Sequence, residues 1–201
     1  GSSKEFVETI LEIKTKEQTA KRKYLKILKK FKFKENEKLI SIEPNDKSLN
    51  VDFELVYTNS VIGTQRNKIN FSDKDLSHVY EARTFCLYED IEKIKKMGLA
   101  KGGSLDNAVV VKDNEILNSK GLRNSKEFVN HKILDLAGDF LLSGYRIFGS
   151  VTCIQGGHSL SNIFLRTFLK DRSNYSIIEL TESKTIKSYF KTSINKLAVN
   201  A

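Results

Sequence analysis

The sequence predicts an α+β fold, a two-layer sandwich in which a mainly antiparallel sheet packs on helices. The stretch from residue 20 to residue 71 is strand-rich, and within it Phe31-Lys32-Phe33-Lys34 alternates with period two, as a half-buried strand should. Helical spacing comes later, above all in residues 127–142. Strands gathered first and helices afterwards place the helices on one face of the sheet. At 201 residues the chain can bury a proper core, and its 39% apolar share is that of an ordinary globular protein.

The elements follow in order. Ser2-x-x-Glu5 predicts a capping box, with Phe6, Val7, Ile10 and Leu11 forming one face of a short amphipathic helix. A helix this short is marginal alone, so it is expected to pack on material outside this chain, as if the chain were truncated at its start. Strands are expected at 24–34, 39–42, 49–57 and 68–71, separated by Glu35-Asn36-Glu37, Pro44-Asn45-Asp46 and Ile62-Gly63-Thr64, in an antiparallel meander. Ser72-x-x-Asp75 predicts a helix to about Arg83 with Leu76, Val79 and Tyr80 on one side. His78 in that helix has no partner at ligand spacing and reads as a surface or partly buried histidine. A helix over 90–97 stops at Gly98, and Val109-Val110-Val111 is a short strand. Gly102-Gly103-Ser104 is a flexible turn that lacks the spacing and lysine of a phosphate loop. In the long helix, Phe128, Ile133, Leu134, Ala137, Phe140 and Leu141 are the expected core residues. Residues 147–154 then read as a strand, Gly156-Gly157-His158 as a turn, 159–169 as a helix and 176–180 as a last strand before a polar tail.

Cys86 and Cys153 lie far apart without a paired spacing, which argues against a disulfide framework and a thiolate zinc site. No stretch has the length of a membrane span, and the first residues lack the layout of a secretory signal, so a cytoplasmic location is expected. The net charge of +9 is concentrated early, from Lys14 to Lys38. With Tyr24, Phe31 and Phe33 interleaved, that run could grip nucleic acid. The alternation Phe31-Lys32-Phe33-Lys34 fits a half-buried strand with a lysine-coated outer face more simply, so no nucleic-acid partner is expected. A basic face also suits a phosphate-bearing small substrate or peripheral contact with an anionic membrane.

The chemistry concentrates in His131, Asp135 and Asp139, set at four-residue steps in the long helix. Residues four apart stack on one helix face, so His131 and Asp135 can converge on one cation, with Asp139 about a turn further on. Two ligands from one turn do not complete a zinc site, and the remaining one must come from elsewhere. The alternative is a solvated charged stripe, since exposed charges cost little. His158 follows two glycines that allow close backbone approach; with Lys132, Asp135 and Asp139 it makes an acid/base constellation in which a carboxylate holds a protonated imidazole.

Several ordered motifs then coincide. They are Ala82-Arg83-Thr84-Phe85; Gly98-Leu99 followed by Gly102-Gly103-Ser104-Leu105-Asp106-Asn107-Ala108-Val109-Val110; Gly121-Leu122-Arg123; His131-Lys132-x-x-Asp135-x-x-Gly138-Asp139; and Gly157-His158-x-Leu160-x-Asn162. In these the chain resembles the zinc-dependent UDP-3-O-acyl-N-acetylglucosamine deacetylases of lipid A biosynthesis. The resemblance implies that residues 1–18 are the last helix of a first domain and 19–201 the second domain, with a small β-α-β-like insert at about 85–111. It implies His131 and Asp135 as two of three protein ligands to Zn2+, with the third ligand and a glutamate base in the first domain. No Glu-His pair occurs in this sequence. The isolated chain is therefore expected to be inactive or nearly so, with the first domain as a partner in cis or as a separate chain.

By the same resemblance Thr84 steadies the tetrahedral oxyanion, and His158, partnered by Asp139 and Lys132, stabilises that intermediate or protonates the departing amine. The zinc polarises the acetamide carbonyl and the attacking water. Phe85, Leu87, Tyr88, Ile91, Ala100, Ala108 and Val110 are implied to wrap the fatty acyl chain, although by periodicity alone they read as core. Lys38 and Tyr57 are implied to meet the nucleotide by charge and by stacking on uracil. Gln155 stands where a lysine is common in the family. The expected substrate is UDP-3-O-acyl-N-acetylglucosamine. The rival readings are a non-catalytic basic binding module on the same scaffold and a zinc amidohydrolase of other specificity.

Overall fold

The structure, a computed structural model, describes residues 1–13, 16 and 18–180. It is an α+β sandwich as expected. The helices are α1 (Lys4–Glu12), α2 (Ser77–Tyr80), α3 (Ile91–Lys96), α4 (Glu127–Leu141) and α5 (His158–Lys170). The strands are β1 (Arg22–Ile27), β2 (Phe31–Glu35), β3 (Lys38–Pro44), β4 (Leu49–Val56), β5 (Thr64–Asn70), β6 (Thr84–Leu87), β7 (Ala108–Lys112), β8 (Glu115–Ile116), β9 (Arg146–Ile154) and β10 (Tyr175–Leu180). The polar tail expected after residue 180 lies outside the described residues.

Strand β9 organises the larger, seven-stranded sheet. Its first three residues pair with β1 in parallel, and its last six are flanked by β3, antiparallel, and β4, parallel. Its buried positions Ile147, Gly149, Val151 and Cys153 alternate, as period two requires on a sheet with one covered face. At Gly149 an added Cβ would lie 2.8 Å from Ile27 Cγ1 and 3.1 Å from Ile42, so no side chain fits there. The apolar face meets α4 through Phe128, Val129, Ile133, Leu136 and Phe140, and α5 through Leu160, Phe164, Leu165 and Phe168. Phe164 stacks on Phe140 and Phe168 and takes the edge of Phe31.

The structure departs from the sequence reading in five places. The expected strand over 24–34 is two strands, because the chain leaves β10 and β9 after Ile27 and joins β3 from Phe31. Leu28 N–H donates to the Asn174 carbonyl at the break. The expected meander is interrupted, because β9 enters between β3 and β4 and takes the ladder groups they would have shared. The capping box at Ser2 does not form: Ser2 Oγ accepts from Arg123, Ser3 occupies the cap position, and Ser3 Oγ donates to the Tyr80 carbonyl. Helix α2 is a single turn rather than a helix from residue 72 to 83. Asp75 caps Ser77 N–H from outside it, and the Ala82–Arg83 peptide group is bonded to α4 side chains instead of to a helix. In α4, Leu141 is 58% exposed, whereas Val129 and Leu136 are core residues.

The smaller sheet joins β6, β7 and β8. β6 and β7 run parallel with α3 between them, the expected β-α-β unit. Gly98 ends α3 at φ +73°, with its N–H on the Lys95 carbonyl and Leu99 N–H on the Ile94 carbonyl, a Schellman stop.

The smaller sheet is tied to α4 by a buried ion pair at the entry to β6. The Glu127 carboxylate accepts from Arg83 N at 3.0 Å, Arg83 Nε at 2.8 Å, Arg83 Nη2 at 3.1 Å and Arg123 N at 2.6 Å. Glu127 is 0% exposed and Arg83 5%. Burial pushes the Glu127 carboxyl up, but these hydrogen bonds and the guanidinium charge outweigh it and hold the group below its ordinary value of 4.5.

Two outcomes are expected. Phe164→Ala should cost about 3–5 kcal/mol in urea unfolding, the range for deleting a large buried aromatic. A folded-state pKa below the unfolded one means that Glu127 contributes stability above the unfolded value, and that this is lost as pH falls through the lowered folded value. The wild-type stability should therefore decline from about pH 4.5 downward. Glu127→Gln should be about 3–5 kcal/mol less stable near neutrality and show a flatter acid limb, read from urea midpoints across pH.

Candidate active site

Helix α4 turns one face to the core and an edge to a cleft. Glu127, His131, Asp135 and Asp139 follow at four-residue steps along that edge, each one turn above the last. His131 is 9% exposed. Its Nδ1 donates to the Ala82 carbonyl at 3.1 Å, since a carbonyl only accepts. In the neutral ring Nε2 then carries a lone pair, and it faces Asp135 Oδ1 at 3.4 Å. Burial favours that neutral ring, pushing the His131 pKa below its ordinary value against the pull of the Asp135 charge. Two acceptors thus face each other, an arrangement that a cation or a proton between them would relieve. Lys132 Nζ bonds Asp135 Oδ2 at 2.9 Å on the other side of the carboxylate.

The Gly156-Gly157 turn brings His158 to the same edge. Gly156 has no room for a side chain, because a Cβ there would sit 2.2 Å from Cys153 Sγ. Gln155 turns the chain at φ +51°, a left-handed backbone that a non-glycine residue adopts at a cost of roughly 1–2 kcal/mol, and its N–H is held by the Glu54 carbonyl. His158 opens α5 rather than ending the turn. Its Nδ1 donates to both oxygens of Asp139, at 2.9 and 3.0 Å, and its Nε2 lies 4.0 Å from Asp135 Oδ2. Asp139 therefore fixes an exposed imidazole beside the carboxylate that His131 also faces.

A pocket of about 400 Å³ opens there, lined by Lys38, Leu55, Val56, Tyr57, Thr84, Phe85, His131, Lys132, Asp135, Gln155 and Gly156. Eight residues singled out from sequence meet in it: Lys38, Tyr57, Thr84, Phe85, His131, Lys132, Asp135 and Gln155. Tyr57 packs edge-on against Phe85, which packs edge-on against Phe128, so one aromatic row runs from the pocket wall into the core. The other insert residues are dispersed. Register and alternation put Phe85 and Leu87 with Val109 and Val111 on the core side, and Ala108 and Val110 on the opposite side. Tyr88 is half exposed beneath Lys112 Nζ, Ile91 is partly buried on α3, and Ala100 is exposed with φ +51°.

Sequence reasoning did not single out Leu55, Val56 and Gly156 as pocket walls, nor the Ala82 carbonyl that holds His131. Leu55 and Val56 precede Tyr57 in the strand expected over 49–57, which was the available signal; a backbone carbonyl leaves none. His78 is partly buried, as expected, and gives its carbonyl to Asn124 and Asn130. Among the described residues no cluster of three histidine, cysteine, aspartate or glutamate side chains is placed to hold a metal ion. No helix among them is long and apolar enough to cross a membrane.

Comparison with known proteins shows the family. A family profile described as "UDP-3-O-acyl N-acetylglycosamine deacetylase" matches residues 1–170. A UDP-3-O-acyl-N-acetylglucosamine deacetylase of Psychrobacter sp. (strain PRwf-1) is 39% identical over 189 residues, covering 92% of this chain and 63% of the relative. The protein of that name from Campylobacter jejuni subsp. doylei is 39% identical over 192 residues, covering 95% and 65%. One from Anaeromyxobacter sp. (strain Fw109-5) is 37% identical over 187 residues, covering 92% and 61%. The chain thus spans just under two thirds of the length of these relatives. With the match running from the first residue through α5 and across every motif of the cleft, the chain belongs to the UDP-3-O-acyl N-acetylglycosamine deacetylase family.

Proposed function

We propose that this chain supplies the second-domain half of a zinc-dependent site that hydrolyses the N-acetyl group of UDP-3-O-acyl-N-acetylglucosamine, releasing acetate and a free amine on the path to lipid A. The observation that carries this reading is the pocket itself, where family membership coincides with His131, Asp135, Lys132 and Thr84 meeting Lys38, Tyr57 and Phe85. His131 Nε2 and an Asp135 oxygen are the nitrogen and oxygen donors that zinc accepts, and the Ala82 carbonyl on Nδ1 is the usual outer partner of a ligating histidine. When bound, zinc would act as a Lewis acid toward the acetamide and water.

The remaining roles belong to this chain's own residues. Water adds to the acetamide carbon, the C–N bond breaks, and the departing nitrogen takes a proton. His158, held by Asp139, is the proton donor or the cation that steadies the oxyanion, and Thr84 offers a hydroxyl to that oxygen. Lys132 holds Asp135 in place and adds positive charge at the carboxylate end of the cleft. Lys38 and Tyr57 receive the nucleotide, by charge and by ring stacking. Phe85 begins the apolar wall for the acyl chain, with Leu87, Tyr88, Ile91, Ala100, Ala108 and Val110 further along the insert. In this reading the third ligand and the base belong to a first domain, of which residues 1–18 form the last helix; residues 19–201 form the second domain, with its insert at about 85–111. The exposure of Phe6 at 74% and of Ile10 and Ile13 on and after α1 supports that division. The cytoplasm is the compartment proposed.

Acetate release from the UDP-linked substrate with added zinc is the test. This chain mixed with a separately supplied first domain should release acetate, and neither part alone should do so at a comparable rate. His131→Ala should abolish the release, and His158→Ala should lower it by roughly 10²–10⁴-fold, the weight of one acid/base group. Release unaffected by His131→Ala, or a product other than acetate and the 2-amine, would overturn the assignment.

A further inference from the structure

Two contacts described separately above share one peptide group. The Arg83 N–H that donates to Glu127 Oε1 at 3.0 Å and the Ala82 carbonyl that accepts from His131 Nδ1 at 3.1 Å belong to the same planar unit. In a trans peptide these two groups point in opposite directions. Glu127 and His131 are four residues apart on α4, which separates them by one turn, about 6 Å along the axis. The peptide therefore bridges successive turns of α4, with its donor on one side chain and its acceptor on the next. All four participants are buried: Ala82 and Glu127 are 0% exposed, Arg83 5% and His131 9%.

We propose that the Ala82–Arg83 peptide, clamped by Glu127, is a positioning device that fixes the His131 tautomer, keeping the proton on Nδ1 and the lone pair of Nε2 turned to Asp135. Neither Glu127 nor Arg83 lines the pocket; they act through the plane of this peptide. The guanidinium completes the clamp, because Nε and Nη2 hold both Glu127 oxygens while Nη2 also reaches the Gly121 carbonyl at 2.8 Å. Arg123 N–H fixes Glu127 Oε2 from the loop before α4. With the carboxylate immobilised by four hydrogen bonds, the peptide cannot rotate without breaking a buried bond at one of its ends. A histidine whose second nitrogen is held in this way presents the other as an acceptor of fixed direction.

The clamp deepens the deacetylase reading, since it orients a residue assigned there to zinc. The tautomer is read without metal or substrate, however, so failure of the clamp and failure of deacetylation are distinguishable. The experiment is a long-range proton–nitrogen NMR spectrum of the isotope-labelled full chain, in which the imidazole cross-peak pattern reports the protonated nitrogen. Wild type should show His131 as the Nδ1–H form. In Arg83→Met/Glu127→Leu, which replaces the pair with packing of similar volume and is expected to fold, the Nδ1–H to Nε2–H ratio should fall roughly fivefold or more, the weight of one hydrogen bond. In Glu127→Gln the amide oxygen still accepts from Arg83 N–H, and the wild-type ratio should largely survive. The His78 ring, outside the clamp, verifies the fold in each sample. An Nε2–H tautomer in wild type, an unchanged ratio in the folded double variant, or equal loss in Glu127→Gln would each overturn the proposal.

Discussion

Two charged side chains of opposite sign, Arg83 and Glu127, lie in the interior where α4 meets the start of β6, and the cleft depends on their being satisfied. Taking both ions out of water costs several kcal/mol each, and Coulomb attraction repays this only with good geometry and additional hydrogen bonds. Here the carboxylate is met by three donors of Arg83 and one of Arg123. An apolar pair would fill the same volume without those directional bonds. The pair therefore specifies where β6 begins relative to α4 as well as that the two touch. Thr84 and Phe85 on one side and His131 on the other take their positions from that junction.

The second constraint is β9. A strand with β3 on one edge and β4 on the other has no freedom of register, because a one-residue slip would turn Ile147, Val151 and Cys153 to the wrong face. Gly149 admits the close approach of Ile27 and Ile42 at its centre, and Gly156 admits Cys153 at its end. The chain thus leaves the sheet at a fixed point and enters α5 with His158 facing Asp139. Two elements nearly twenty residues apart in sequence are brought to one carboxylate edge by sheet register and by glycine.

The early run of lysines has a structural use beside any electrostatic one. β2 is an edge strand whose Phe31 and Phe33 pack inward while Lys32 and Lys34 face solvent. Charged edge residues of this kind discourage pairing with another chain. Tyr24 is buried and stacked on Phe148, and Phe31 packs against Phe164 and Phe168, so these rings serve the core rather than an exposed stacking platform. Lys38, at the start of the next strand, is the lysine of this run that lines the pocket among the described residues.

The sequence by itself determined what depends on neighbours close along the chain. Periodicity located α4, β9 and α5, Gly98 marked the end of α3, and the four-residue steps put His131, Asp135 and Asp139 on one edge of one helix. The ordered motifs identified the family. The tertiary structure decided what depends on distant partners. The apolar stretch from Tyr24 to Phe33 runs through a break that carries no glycine or proline, because what divides β1 from β2 is a change of partner strand. The meander was wrong for a similar reason: nothing local in β3 or β4 announces that a strand some hundred residues later will lie between them. The helix expected through Arg83 ended early because its peptide groups found side-chain partners on α4, and the carbonyl that orients His131 is backbone, which no residue identity encodes. Local propensity is set by each side chain, whereas the pairing of buried polar groups is settled only when the whole chain has closed around them.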